Sequence, residues 1–256
     1  MNLTGSTYCH KLINIITRKN PMLKIDTATF IVQQITFLFA YVISVSMTGA
    51  LTAWLTDKMG DSTGRNHGFM SLNPAVHVNL FGMFCIVWAK IGFGNRVPID
   101  ASYIRNPYRT LKVVIAYYAD VLASIALAFI GLVALLFLFG PSVVPMIKVL
   151  LLCADDISHM QLAHMCPTFS SARITAIYII LAIAYLNVVL AAVNIVLNSF
   201  YLYLETRSKS RHDLGQNYYK LFIVPFILVL FLSNPLRYLV VELLSNVAYL
   251  LTRLMF

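Results

Sequence analysis

Four stretches of the chain carry no charged residue: 27–56, 121–147, 174–204 and 221–236. A helix needs about 20 apolar residues to cross the hydrocarbon core of a bilayer, and each stretch is near or above that length. The pattern predicts spans at about 27–56, 113–139, 174–204 and 221–256. The first is one long tilted helix, not two crossings. The second carries an acid, Asp120, near its start and ends at Gly140-Pro141. Ser233-Asn234-Pro235 divides the last region, whose first part is too short to cross unless the helix continues through the proline. Two shorter apolar pieces, 78–88 and 143–152, lie in the intervening loops. The first is followed by Gly92, Gly94 and Pro98 and reads as re-entrant or interfacial. The fold class is therefore an all-α polytopic membrane protein. A polar to amphipathic segment, 1–26, precedes an integral membrane domain, 27–256. No internal repeat or low-complexity tract is visible.

Composition agrees with the pattern. Of the 256 residues, 59% are hydrophobic and 11% charged, against about 25% charged in an ordinary soluble domain. The net charge of +9 comes from basic residues in short loops. That placement points to headgroups and to membrane topology, not to nucleic acid. Loop 57–112 holds seven Lys/Arg and three Asp, loop 205–220 four Lys/Arg and two acids, and loop 141–173 two of each. Alternating spans put 57–112 and 205–220 on one side, which the positive-inside rule makes cytoplasmic. The N-terminal segment, with four Lys/Arg and one Asp, conflicts with that assignment. It lacks the apolar core of a signal peptide, so no cleavage is expected there. Its stretch 8–18 has the mix of a segment lying flat in the headgroup zone or of a plain polar tail. Cys9, Cys85, Cys153 and Cys166 show no metal or redox spacing.

The informative stretch begins late in the first span. It reads Thr48-Gly49-Ala50-Leu51-Thr52-Ala53-Trp54-Leu55-Thr56-Asp57-Lys58-Met59-Gly60-Asp61-Ser62-Thr63-Gly64-Arg65. It continues through Leu72-Asn73-Pro74-Ala75-Val76-His77-Val78-Asn79-Leu80-Phe81-Gly82, then Arg96-Val97-Pro98-Ile99-Asp100 and Arg105-Asn106-Pro107-Tyr108-Arg109. This resembles the site-2 protease family of intramembrane zinc metalloproteases. In its small bacterial members an HExxH helix runs into an LGDPTAR segment, then an LNPxxHxDPxG loop and a PVPV…RNPRR stretch. The order and spacing match over about residues 30–112. The family-like loop positions are Gly60, Asp61, Arg65, Asn73, Pro74 and His77. Beyond that stretch the likeness is one of hydropathy and span number. It implies a site-2-protease-like helical bundle with a re-entrant or interfacial loop region, in a bacterial inner membrane.

The departures fall on the chemistry. The two histidine positions of the family motif hold Thr48 and Thr52, and the glutamate position holds Gly49. The third ligand, an aspartate in the family, corresponds to Leu202. The acidic and proline positions of the loop read Asn79 and Leu80. The chain contains only two glutamates, Glu205 and Glu242, and no HExxH anywhere. Catalytic zinc needs three protein ligands and a position for water. Neutral hydroxyls and a bare glycine supply neither the ligands nor the base.

The expectation is therefore a pseudoprotease: no catalytic residues, no metal ligands and no cofactor. Membrane lipids and transmembrane segments of other proteins are its expected partners. An enzyme reading keeps zinc, with ligands from His77 or from the cluster Cys153, Asp155, Asp156, His159, His164 and Cys166. The five-residue step from His159 to His164 does not hold both on one helix face. A transporter or channel reading would use Asp120 and the broken last helix. Elsewhere, Ser44, Thr48, Thr52 and Thr56 form a hydroxyl stripe that either packs or lines a cavity. Asp120 has Lys112 two turns away, Arg237 and Glu242 read as a snorkelling pair, and His77 as a loop hydrogen bond.

Overall fold

The computed structural model describes residues 27–105, 107–152, 170–207 and 218–255. The segment 1–26 and the Cys153–Cys166 cluster lie outside the described residues. Every regular element among them is helical. The order is α1 (Thr27–Lys58), α2 (Thr63–Asn66), α3 (Pro74–His77), α4 (Leu80–Ala89), α5 (Arg109–Tyr117) and α6 (Ala119–Phe139). A 3-10 turn (Pro141–Val143) leads into α7 (Val144–Leu152), then α8 (Ser171–Arg207) and α9 (Tyr218–Met255). Four helical stretches are long and apolar enough to cross a bilayer: Ile31–Lys58, Ala119–Phe139, Ala172–Ser199 and Pro235–Met255. A spanning segment must satisfy its own backbone hydrogen bonds, which a continuous helix does. The protein is a polytopic helical membrane protein.

One boundary differs from the sequence expectation. The region 113–139 is not one helix. Tyr118 leaves helical geometry, at φ −105° and ψ 13°, and separates α5 from the spanning α6. Asp120 lies in the first turn of α6, where its Oδ1 accepts the Val121 N–H at 2.7 Å. A short acidic side chain that captures a nearby backbone donor favours a helix start over a helix interior. At Pro235 the structure takes one of the alternatives that the sequence left open. The helix does not stop at Ser233-Asn234-Pro235 but runs through it. A proline removes one ladder bond, yet an unwound backbone in lipid would leave more groups unpaired.

The chain forms two compact units. One comprises Met1–Ala40, Ile130–Tyr185 and Asn234–Phe256. Its interior is apolar and aromatic. Phe37 meets Tyr178 and Tyr185 edge-on, at centroid distances of 5.9 and 6.1 Å. Such pairs add about 0.5–1.5 kcal/mol each beyond burial. Leu135, Leu136, Ile177 and Leu181 are fully enclosed. Arg237 donates from Nε (3.0 Å) and Nη2 (2.5 Å) to the Leu151 carbonyl, a partner that its sequence neighbours did not suggest.

The other unit comprises Tyr41–Phe129 and Leu186–Ser233. Here the buried groups are often polar. α4 packs closely on the segment that follows it because Gly82 has no side chain. A Cβ there would stand 1.9 Å from the Phe93 carbonyl oxygen. The enclosed Tyr41 hydroxyl donates to that same oxygen at 2.8 Å. α4 ends with Lys90 in the left-handed region, φ 56°, its N–H bonded to Ile86 O. With ten residues, α4 is too short to cross.

Candidate functional site

The second unit encloses a cavity of about 330 Å³. Four helices and one loop build it. α1 supplies Thr48, Gly49 and Thr52, and α8 supplies Asn194 and Asn198. Tyr117 and Asp120 come from the α5–α6 junction, and Asn79, Asn95 and Arg96 from the loop side. Among the described residues, Asp120 is the only carboxylate in this lining.

On the α1 wall both readings of the hydroxyl stripe hold. Thr48 donates to Ser44 O and Thr52 to Thr48 O, each at 2.8 Å, as helix packing requires. The same two residues line the cavity. Ser44 accepts a hydrogen bond from Asn187 Nδ2 at 3.0 Å. Gly49 is pressed from behind. A Cβ at this position would lie 2.2 Å from His77 Nδ1 and 2.8 Å from His77 Cε1. No side chain fits there while the imidazole stays in place.

His77 stays because the loop holds it. It is 1% exposed, and its Nε2 lies 2.7 Å from the Ser71 carbonyl oxygen. A carbonyl only accepts, so Nε2 donates to it. Nδ1 is buried without a partner. Phe69 meets the ring edge-on at 5.4 Å. The loop hydrogen bond expected of His77 is present, and a close contact with the Gly49 backbone comes with it.

The remaining family-like residues brace the loop. Gly60 turns the chain after α1 at φ 106°. Asp61 is fully buried; its Oδ1 accepts from Thr63 N (3.0 Å) and Thr63 Oγ1 (2.5 Å), and its Oδ2 from Asp100 N (2.8 Å). Arg65 is exposed and pairs with Asp57 at 3.3 Å. Asn73 caps α3 through Ala75 N, with Pro74 in the first turn. Asn79 caps α4 through Phe81 N and Gly82 N, and its Nδ2 donates to Asn95 Oδ1 at 3.0 Å. Asn95 in turn donates to Val76 O and Val78 O. Cys85, packed inside α4, has its thiol pKa pushed up by burial.

The α8 wall departs from the sequence reading. Leu202 is half-buried in α8 but does not line the cavity. The structure therefore does not bring it together with Thr48, Gly49 and Thr52. The polar groups α8 offers are Asn198 and Asn194, one and two turns earlier. Asn198 is 2% exposed and donates from Nδ2 to Asp120 Oδ1 at 2.8 Å. Asn198 and the Val121 N–H are the hydrogen-bond partners of Asp120, in place of the expected Lys112. Asn194 and Asn198 were findable: two carboxamides four apart in a charge-free span must share a helix face. Arg96 completes the site, its guanidinium 5.6 Å from the centre of the Tyr117 ring and its charge acting on Asp120.

These residues do not fit a hydrolytic zinc ion. Such an ion takes nitrogen, thiolate or carboxylate ligands and leaves one position for water. The α1 wall offers two hydroxyls already committed to their own helix, and a glycine. Among the described residues no group of three or more His, Cys, Asp or Glu side chains is placed to share a metal. What the arrangement can do is hydrogen-bond: it is a chamber of mixed lining, in which amides, hydroxyls and one charge of each sign sit among apolar side chains such as Val45, Phe93, Leu190 and Leu197.

Comparison with known proteins gives one informative relative. The chain is 30% identical over 90 residues to "Putative zinc metalloprotease YwhC" of Bacillus subtilis (strain 168), a site-2 protease family member. The match covers 35% of this chain and 40% of the relative, so the chain spans less than half of that protein's length. No family model matches the chain, and no solved structure matches it. The chain is thus a helical membrane protein with distant, partial homology to a protein of the site-2 protease type.

Proposed function

We propose that this protein is a proteolytically inactive, site-2-protease-like membrane protein that binds segments of other membrane proteins in its polar cavity. One observation carries the reading. The wall where the related proteases hold their metal motif presents Thr48, Gly49 and Thr52, and a buried imidazole fills the space beside Gly49. The partial homology and the braced loop support a scaffold of that type. The cavity supports binding, because its polar lining within a bilayer is open to an occupant that supplies hydrogen-bond partners.

The test is direct. The full chain, purified in detergent, is assayed for zinc by mass spectrometry and for cleavage of membrane-protein substrates with and without a chelator. The expected result is substoichiometric zinc and no chelator-sensitive cleavage. Stoichiometric zinc, with cleavage lost on chelation, overturns the proposal in favour of an enzyme with unconventional ligands.

A further inference from the structure

We infer that the cavity selects membrane segments that bring a primary ammonium group to Asp120: segments with a lysine at the end nearest the face from which residues 57–112 emerge. The inference rests on the binding role proposed above and names the chemistry of the partner.

The argument starts from which lone pairs are left over. Both hydrogen bonds to Asp120 fall on Oδ1, from Val121 N and from Asn198 Nδ2. Asp120 lines the cavity, and among the described residues no hydrogen bond reaches its second oxygen. Asn198 is almost wholly buried and uses its amide nitrogen on Asp120, and among the described residues no donor reaches its carbonyl oxygen. Thr48 and Thr52 spend their protons on helix carbonyls, so toward the cavity their oxygens only accept. The chamber is therefore rich in acceptors around one carboxylate. A primary ammonium carries three donors and no acceptor, and it is a compact point charge. An intramembrane acid is costly unless paired, and such acids commonly mark a partner.

The position of the cavity narrows the source of that ammonium. Thr48 and Thr52 lie in the last three turns of α1, Asp120 in the first turn of α6, and Asn198 at the end of the apolar stretch of α8. With alternating spans, these three ends reach the same membrane face. Spanning segments carry lysines at their ends on the basic side of a membrane. A lysine stem can lie along apolar surface while its head reaches a polar site. Arg96 works against the contact, because it lines the same cavity and its charge acts on Asp120. The loop 57–112 is net basic as well. The selectivity must then come from short-range contact with Asp120 and Asn198.

The experiment uses the full chain in lipid vesicles with labelled single-span poly-leucine peptides that carry Lys, Gln or Glu at one end. Binding is read by energy transfer. The Lys peptide should bind about tenfold more tightly than the Gln peptide, a difference the size of one desolvated charge contact. Asp120→Asn should abolish that preference, with its folding checked independently by unfolding in detergent. Arg96→Gln should increase the preference. Equal binding of the Lys and Gln peptides overturns the inference, as does a preference that survives Asp120→Asn. A preference for the Glu peptide also overturns it and gives the cavity to Arg96. Failure of all three peptides to bind overturns the binding role itself, an outcome separate from loss of selectivity alone.

Discussion

The two walls of the cavity are built on different principles. On the side of α1 and the 57–100 loop, nearly every polar residue is bonded within the protein. Asp61 accepts three hydrogen bonds, Asn73 and Asn79 cap helices, and Asn95 ties the loop to two carbonyls. On the α8 side Asn194 faces the cavity with half its surface buried, and Asn198 holds Asp120 through one atom. The first wall folds the chain and the second is available to an occupant. A family-like residue on the braced wall therefore speaks for scaffold, not for catalysis, since each has a structural use that needs no metal.

This contrast can be tested by substitution, with unfolding followed in detergent. Asp61→Ala should have the largest effect, a loss of about 3 kcal/mol, because it strands three buried donors that now reach a carboxylate. A wild-type melting temperature in that variant would remove the braced-wall account. Gly49→Ala should cost about 2 kcal/mol through overpacking against His77. The penalty should shrink when His77→Ala is added, and a double-mutant cycle without coupling would show that the two positions do not touch. By the same contact, Thr48→His, Gly49→Glu and Thr52→His together should recruit no zinc while His77 is present. Asn73→Ala should cost about 1 kcal/mol, the usual value of a lost helix cap. Asn194→Leu should stay within about 0.5 kcal/mol, since among the described residues no group pairs with its carboxamide. A large loss there would mean that α8 is braced after all.

Much of the framework was readable in advance for a local reason. Asn73-Pro74 signals a cap followed by a first-turn proline, and both features depend only on residues within one turn. The charge-free runs predict helices because lipid leaves the backbone no alternative. The end of α1 and the start of α8 are close to the predicted limits for the same reason. The break at Tyr118 was not legible, because the stretch around it reads as evenly apolar and the interruption depends on how Asp120 bonds. Pro235 left two alternatives open from sequence: its local penalty is real, but the bilayer penalises an open backbone more. The alignment that placed Leu202 opposite Thr48 and Thr52 rested on hydropathy, which does not distinguish one helix face from another.

From its order of residues alone, the chain determined four apolar helices, net basic loops and the loss of any HExxH motif. Each of these depends on composition or on neighbours a few positions apart. Tertiary structure alone decided that His77 backs onto Gly49, that Asp120 answers to Asn198 instead of Lys112, and that Asn194 rather than Leu202 faces the cavity. Those outcomes depend on the rotation of each helix about its own axis. That rotation is set by close approach and hydrogen bonding between segments far apart in the chain.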